Sequence, residues 1–527
     1  MIVGAGAAGC VLANRLTESG RNEVTVIEAG GSDRRLFIKI PAGFRMTVGD
    51  PSLNWGYHTA PGGNVDQRRI EFPRGRVIGG SSSINGHLYV RGQAADYQQW
   101  AQLGCRGWSY DDVLPYFMKA ETRPGGDATY RGHQGPLRIS DQRELHPLSE
   151  AFFTAASATG LQPNPDYNSG DQEGTCLYQQ MMRNGRRWSA ADAYLRPALK
   201  RDGLRLISKA QVEAIQFEGL RAVGVTYRVG QEQRFASARK AVILAAGAIN
   251  SPQLLQISGV GNAVHLQEIG VPVIHHLPGV GEGMRDHYAT RLSYRVHGAQ
   301  TLNERARGLP LVAEVLRYLV TRRGLLAMSP AHAGAFLRTR PELATPDIQL
   351  FVSPASFEGG RSGQDPLEKL PGMTGGCSQL RPESRGWVRA TSADPTVAPE
   401  IQPNYLEDPI DQRTIIGGMR AVRQIFATSP LAGFCEIETL PGTAVEDDDD
   451  LLAYARATGS TIYHPIGSCK MGIDPMAVVD HRLKVAGIEG LRVVDASIMP
   501  TMPSGNTYAA TIMVAEKGAD MIREDDA

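Results

Sequence analysis

Three glycines, Gly4, Gly6 and Gly9, stand between the apolar triplet Met1-Ile2-Val3 and the run Cys10-Val11-Leu12-Ala13. A second apolar run, Val24-Thr25-Val26-Ile27, ends in Glu28. Strand, glycine turn, helix, strand and acid in this order can bind a dinucleotide. Gly4 permits the tight turn, Gly6 lets a pyrophosphate approach the backbone, and Gly9 lets the helix lie against the strand. The N-terminus of the helix that follows offers free N–H groups and a positive dipole end to the phosphates. Glu28 would accept hydrogen bonds from an adenosine ribose. This spacing does not separate NAD from FAD.

The elements that must hold such a site are spread along the chain. Ala241-Val242-Ile243-Leu244-Ala245-Ala246-Gly247 reads as a buried strand, with a helix expected from about Ser251-Pro252, where proline suits a first turn. Leu491-Arg492-Val493-Val494 is another short strand, with Asp495 at its end. Between these pieces lie inserts with strand-like runs, Ile348–Val352 and Gly386–Ala390, and helical patterns near 309–323 and 411–428. The expected fold is α/β: a Rossmann-like cofactor domain made of 1–155, 205–290 and 455–527, with an inserted α+β substrate domain, antiparallel sheet plus helices, made of 156–204 and 291–454. The acids Glu446 to Asp450 directly precede the helical pattern Leu451-Leu452-Ala453-Tyr454-Ala455. They read as a solvated helix start rather than a metal cluster. No metal site is expected.

Composition narrows the function classes. The 527 residues, 42% hydrophobic and 21% charged, are ample for a large core. Lys+Arg and Asp+Glu both number 55, a balance that argues against nucleic acid as a partner. Glycine numbers 59, more than the usual ~7%, which suggests backbone held close to a large ligand. The six cysteines are scattered without a CxxC pair, as buried thiols of a reducing compartment would be, so a cytoplasmic protein without structural zinc is expected. The glycines at 4, 6 and 9 interrupt any apolar leader, and the first strand is short. No run approaches 18 apolar residues, so no membrane span is expected. Within Leu309–Val320, Val312, Val315, Leu316, Leu319 and Val320 follow helical spacing, closed by Arg322, Arg323 and Gly324. A core-packing helix is expected there; a membrane-surface or lid helix, in peripheral contact with the inner membrane, is the alternative.

Longer motifs are more specific. Gly75-Arg76-Val77-Ile78-Gly79-Gly80-Ser81-Ser82-Ser83-Ile84-Asn85-Gly86 is one, and Gly247 through Gly261 (GAINSPQLLQISGVG) is another. A third set runs from Tyr463-His464-Pro465 through Val494-Asp495-Ala496-Ser497 to Gly505-Asn506-Thr507, with Gly279-Val280-Gly281 and Asp286-His287 before it. Together, and in this order, they resemble the glucose–methanol–choline family of flavoprotein oxidoreductases over essentially the whole chain. The nearest likeness is to its bacterial choline and primary-alcohol dehydrogenases.

The resemblance implies FAD. It places the cofactor against Gly4, Gly6, Ala7, Ala8, Gly9, Glu28, Ala29, Arg76, Val77, Gly79, Gly80, Ser81, Asn85, Gly86, Val212, Ala246, Gly247, Asp495, Ala496, Asn506 and Thr507. Ser81, Asn85 and Gly86 would face the flavin edge, Asp495 would accept from cofactor hydroxyls, and the helix after Asn506-Thr507 would aim its positive end at the ring. Flavin-dependent alcohol oxidation transfers hydride from the carbinol carbon to N5 while the hydroxyl loses a proton, so a base must lie within hydrogen-bond reach. The resemblance gives that role to His464, with Asn506 orienting the same oxygen; the other histidines, His332 and His481 among them, are taken as structural.

Two departures qualify the likeness. Ile84 stands where some choline-oxidising members carry a histidine tethered to FAD, and His87 is displaced from that position, so noncovalent FAD is expected. Asn506-Thr507-Tyr508-Ala509-Ala510-Thr511 replaces the usual Asn-Thr-Asn-x-Pro-Thr, which leaves the substrate pocket open. The expected reaction is oxidation of a primary alcohol to the aldehyde, with electrons passed to a quinone or carrier. An oxidase using O₂, a hydroxynitrile lyase-like protein and an NAD enzyme are the alternatives. Which alcohol, and what oligomeric state, the sequence does not say.

Overall fold

In the computed structural model, which describes residues 1–359 and 365–526, two sheets divide the work. Residues 360–364 of the expected substrate domain and 527 of the expected cofactor domain lie outside the described residues. Five parallel strands form the first sheet, in the order Leu204–Ser208, Val24–Glu28, Ile2–Val3, Val242–Leu244 and Leu491–Val493. Its inner strands are apolar without alternation because they are covered by the helix Ala7–Leu16 and by a three-stranded antiparallel sheet, Ala210–Glu218, Arg221–Val229 and Glu232–Ser237. Ile2 lies opposite both Ile243 and Val26, which sets the register at the glycine turn.

The helix after that turn, Ala7–Leu16, packs along the C-terminal helix Tyr508–Asp525. A buried ion pair joins them: Arg15 donates to both carboxylate oxygens of Glu516 at 2.8 Å, and the Tyr194 hydroxyl donates to the same carboxylate at 3.0 Å. The chain's two ends are thereby locked across the cofactor sheet.

The helix expected from Ser251-Pro252 in fact begins at Gly247 and runs to Ile257. Pro252 therefore lies inside it, where it cannot donate to the Ala248 carbonyl. The Ser468 hydroxyl donates to that carbonyl instead, at 2.5 Å, which removes the usual objection to an interior proline.

The second sheet is antiparallel, in the order Cys435–Leu440, Tyr288–Val296, Gly372–Gln379, Ile348–Ser353, Ala333–Leu337 and Gly174–Leu177, with Ser460–Thr461 added beside Tyr288–Val296. One face packs on the helix Pro409–Phe426, whose Ile415, Met419, Val422 and Phe426 meet Leu292, Leu350 and Met373 in a shared core. The other face carries Arg291, Phe351, Ser353, Thr374 and Gly376 and lines a cavity. The acidic run starts a helix as expected: Asp447 caps Asp448–Thr458, its carboxylate accepting from the Asp450 N–H at 2.8 Å.

The helix Gly308–Thr321 departs from the core-packing expectation. Leu309 is 83% exposed and Val320 85%, and Val312, Leu316 and Leu319 are exposed too. Its buried residues are Glu314 and Tyr318. Glu314 is drawn inward because its carboxylate pairs with Arg305 and accepts the Leu325 N–H at 2.9 Å. The apolar stripe is left facing solvent.

Candidate active site

A cavity of about 360 Å³ lies between the two sheets, and most of the expected site residues line it. At one end the lining is backbone. Gly6 starts the helix Ala7–Leu16 without any side-chain cap, so the first N–H groups at Gly6, Ala7 and Ala8 face the cavity. Gly80, with φ +54°, crosses this turn so closely that a Cβ there would sit 2.7 Å from the Gly6 Cα. The Glu28 carboxylate accepts the Ala5 and Gly30 N–H groups, both at 2.7 Å, and burial raises its pKa. Gly247 lines the opposite wall at φ +87°, with nothing within 4 Å of its missing side chain. Ala29, Ser81, Asn85, Gly86, Val212, Ala246, Ala496 and Thr507 complete this end. A helix N-terminus with unclaimed N–H donors, beside a buried acid and glycine-lined walls, fits a dinucleotide.

Four expected residues stand behind the wall rather than in it. At Gly9 a Cβ would meet the Gly4 oxygen at 1.9 Å, so this glycine serves helix-to-strand packing. Gly79 donates its N–H to the Ala5 carbonyl at 2.7 Å. Val77 is buried with Ile38, Leu53 and Ile84. Arg76 stacks over Trp55 and donates to Gln211 at 3.2 Å. Asp495 lines the cavity but already accepts from the Gly247 N–H, the Ser251 hydroxyl, and both the N–H and hydroxyl of Ser497. It braces its own turn against the start of the helix Gly247–Ile257, whatever cofactor hydroxyls it also receives. The helix Tyr508–Asp525 likewise starts without a side-chain cap, with Asn506, Thr507 and Tyr508 on the cavity, so its positive end faces inward.

At the other end the lining is side chains. His464 is buried and follows Tyr463, which holds a left-handed φ of +72° that a non-glycine residue adopts only under constraint. The Asp286 carboxylate imposes it: one oxygen accepts the His464 N–H at 2.7 Å, and the other accepts the Thr461 and Tyr405 hydroxyls. The His464 ring lies between two partners. Its Nδ1 is 2.9 Å from His287 Nδ1, and its Nε2 is 3.1 Å from Asn506 Nδ2.

Proton positions follow from the far end of this chain. His287 Nε2 lies 2.8 Å from the Leu380 carbonyl, which can only accept, so Nε2 carries the hydrogen. Burial lowers the His287 pKa to about 4, so its Nδ1 is a bare acceptor at neutral pH. His464 must then donate from Nδ1, which leaves its Nε2 lone pair toward Asn506 and the cavity. Burial, then the charges of His287 and Arg74, hold the His464 pKa well below the ordinary histidine range. Asn506 Oδ1 is buried with no hydrogen-bond partner among the described residues, an acceptor still to be used. His87 also lines the cavity, both ring nitrogens without a partner among the described residues.

His287, Asp286, Arg74 and Arg291 were not among the expected site residues. The dipeptide Asp286-His287 was visible as a motif, but its partners lie almost 180 residues away. Nothing local marks Arg291.

Comparison with known proteins agrees with this geometry. The two GMC oxidoreductase family models match residues 1–289 and 382–515. The chain is 43% identical over 535 residues to human mitochondrial choline dehydrogenase, covering 99% of this chain and 89% of that one. It is 39% identical over 530 residues to the alcohol dehydrogenase [acceptor] of Pseudomonas putida, covering 99% and 95%. Among solved structures, pyridoxine 4-oxidase from Mesorbium loti superposes with a TM-score of 0.90 at 30% identity, covering 99% of this chain and 98% of that one. The chain belongs to the GMC oxidoreductase family. It is an FAD-binding flavoenzyme acting on CH–OH donors.

Proposed function

We propose that the protein oxidises a primary alcohol to the aldehyde, with His464 as base and Asn506 orienting the alcohol, and that its electrons pass to a quinone or carrier. The observation that carries this reading is the His464 Nε2 lone pair, fixed by His287 behind it and set beside Asn506 in the cavity. FAD, when bound, supplies the acceptor for the hydride leaving the carbinol carbon. An alcohol hydroxyl that takes the place of the Asn506–His464 contact donates to Nε2 and accepts from Asn506 Nδ2. Its proton then moves to Nε2, and the new imidazolium keeps its Nδ1–H bond to His287. Because burial disfavours this charge, the ring accepts the proton only as negative charge builds on the alcohol oxygen, and it releases the proton readily afterwards. The uncapped helix start at Tyr508 adds positive potential to the cavity.

For the acceptor, the Pseudomonas putida relative's name supports a dehydrogenase. The exposed apolar face of Gly308–Thr321 supports contact with a membrane surface, where a quinone resides. Anaerobic mixing with a panel of alcohols, followed by turnover with an artificial quinone and separately with O₂, tests the reading. Bleaching of the flavin with slow peroxide release is expected. Stoichiometric peroxide would make it an oxidase, as the pyridoxine 4-oxidase neighbour is named, and a flavin that no alcohol bleaches would sink the redox reading. Ile84, which lines the cavity, has no nucleophile for a tether, so acid precipitation is expected to release all the yellow colour.

A further inference from the structure

Arg291 projects from the face of the antiparallel sheet that lines the cavity, on the strand Tyr288–Val296. Its cross-strand partner is Gly376, where a Cβ would stand 3.3 Å from the Arg291 Cγ, so the glycine leaves room for the stem to lie flat across the sheet. Ser353, Thr374 and Phe351 share that wall. The guanidinium is at the alcohol end: Tyr463, the neighbour of His464, is among the groups that act on it electrostatically.

Among the described residues this arginine has neither a counter-ion nor a hydrogen-bond acceptor for its side chain, although a guanidinium carries five donors. Residues 360–364 contain no acid. Asp365 is within electrostatic reach of Arg291 and Arg45, and the Arg45 guanidinium donates to its main-chain carbonyl at 2.7 Å. The carboxylates lining the cavity are Glu28 and Asp495, both already bonded at the cofactor end. Asp286 lies behind His464, its oxygens taken by Thr461, Tyr405 and the His464 N–H. Burial pushes the Arg291 pKa down, as expected for a cation withdrawn from water without compensation. A cavity so arranged repels a quaternary ammonium group and has five donors for an anion.

We propose that the substrate is an alcohol bearing a carboxylate, a hydroxy acid, whose carboxylate is held by Arg291 while its carbinol faces His464. This rests on the alcohol-oxidising reading above and names its substrate class. In the reaction the carbinol C–H bond breaks with its electron pair passing as hydride to bound FAD, the O–H proton goes to His464 Nε2, and the C=O bond forms. The carboxylate is unchanged, so the product is an oxo acid.

The test compares matched probes on the FAD-loaded enzyme under anaerobic conditions: 4-hydroxybutanoate, 1,4-butanediol and choline. The hydroxy acid is expected to bleach the flavin with a KM about 10- to 100-fold below the diol's, the worth of charged hydrogen bonds. Choline should be the poorest of the three. In Arg291→Ala and Arg291→Gln the preference for hydroxy acid over diol should collapse, and Arg291→Glu should move it toward choline. A wild-type enzyme that prefers choline or the diol would overturn the proposal, as would a preference unmoved by all three substitutions. Butanoate, which cannot be oxidised at a carbinol, gives a readout independent of turnover: it should perturb the flavin spectrum saturably, and less so in Arg291→Gln. If no alcohol bleaches the flavin, the redox reading fails, while the butanoate titration still decides Arg291: saturation supports the proposal and its absence overturns it.

Discussion

At the pyrophosphate end of the cavity, the groups in position are main-chain N–H donors and places where a side chain is missing, at Gly6, Gly80 and Gly247. At the alcohol end they are side chains, His464, His287, Asn506 and Arg291, drawn from segments far apart in the chain. Backbone geometry is set by turns and close main-chain approaches, so the first end is broken most readily when something is added to it. The second end depends on hydrogen bonds between side chains from different segments, so it fails when something is removed.

The largest expected effect tests the alcohol end. His464→Ala should slow anaerobic flavin reduction about 10²–10⁴-fold, with FAD content unchanged, and Asn506→Ala should lose less. In the wild type, reduction should stay level as pH falls through 6.5, because His464 remains neutral well below that value. Near-normal reduction by His464→Ala would move the base elsewhere.

His287→Leu removes the acceptor that fixes the His464 tautomer. Rate losses of about 10- to 100-fold are typical of such supporting partners. A shifted acid limb in the pH profile, and partial recovery in His287→Gln, would separate this from a packing defect.

At the pyrophosphate end the disruptive change is an addition. Gly80→Ala puts a methyl group 2.7 Å from the Gly6 Cα at positive φ and should destabilise the FAD-loaded protein by about 1–3 kcal/mol. Glu28→Ala should weaken FAD binding and also lower Tm, since it strands the buried N–H groups of Ala5 and Gly30. An unchanged FAD dissociation constant would place the ribose acceptor elsewhere.

A pH effect on stability is carried by two histidines of the antiparallel sheet, each just before a strand, Tyr288–Val296 or Ala333–Leu337. His287 and His332 are buried and neutral, each with its pKa lowered to about 4. Between about pH 6.5 and 4 the unfolded chain binds these protons and the folded one does not, so stability falls as pH falls. The slope is about 1.4 kcal/mol per pH unit for each histidine. Denaturation midpoints at pH 7 and pH 5 measure it, and a flat profile would contradict the buried neutral state.

The same contrast explains what could be read from the sequence. Glycine spacing between Gly4 and Gly9 encodes a local turn, so a dinucleotide site was legible, and apolar runs gave four strands of the cofactor sheet; the edge strand Leu204–Ser208 and the strand order were not, and FAD came from the longer motifs. His464 and Asn506 were legible through the motif around them. The Nδ1–Nδ1 contact of His464 with His287 is tertiary and leaves no periodic trace, and Arg291 looks like any strand residue until Gly376 is set across from it. Periodicity also gave the helix Gly308–Thr321 without saying which stripe faces in. There, one buried carboxylate bonded to Arg305 and the Leu325 N–H outweighed the apolar pattern. At Pro252 the missing information was Ser468, more than 200 residues on.

The cofactor sheet also sets a timetable for synthesis. Its last strand, Leu491–Val493, pairs with Val242–Leu244, and nearly 250 residues separate the two. At about 5–20 residues per second, a ribosome needs roughly 12–50 s to emit that interval. Throughout it, four strands stand with an open edge while every strand of the antiparallel sheet except Gly174–Leu177 emerges. The nascent chain must shelter that edge or hand it to a chaperone, and the Arg15–Glu516 pair can close only once the helix Tyr508–Asp525 has emerged. Truncations before residue 491 should therefore accumulate as protease-sensitive, chaperone-bound chains, whereas chains that include Leu491–Val493 and the helix Tyr508–Asp525 should become resistant.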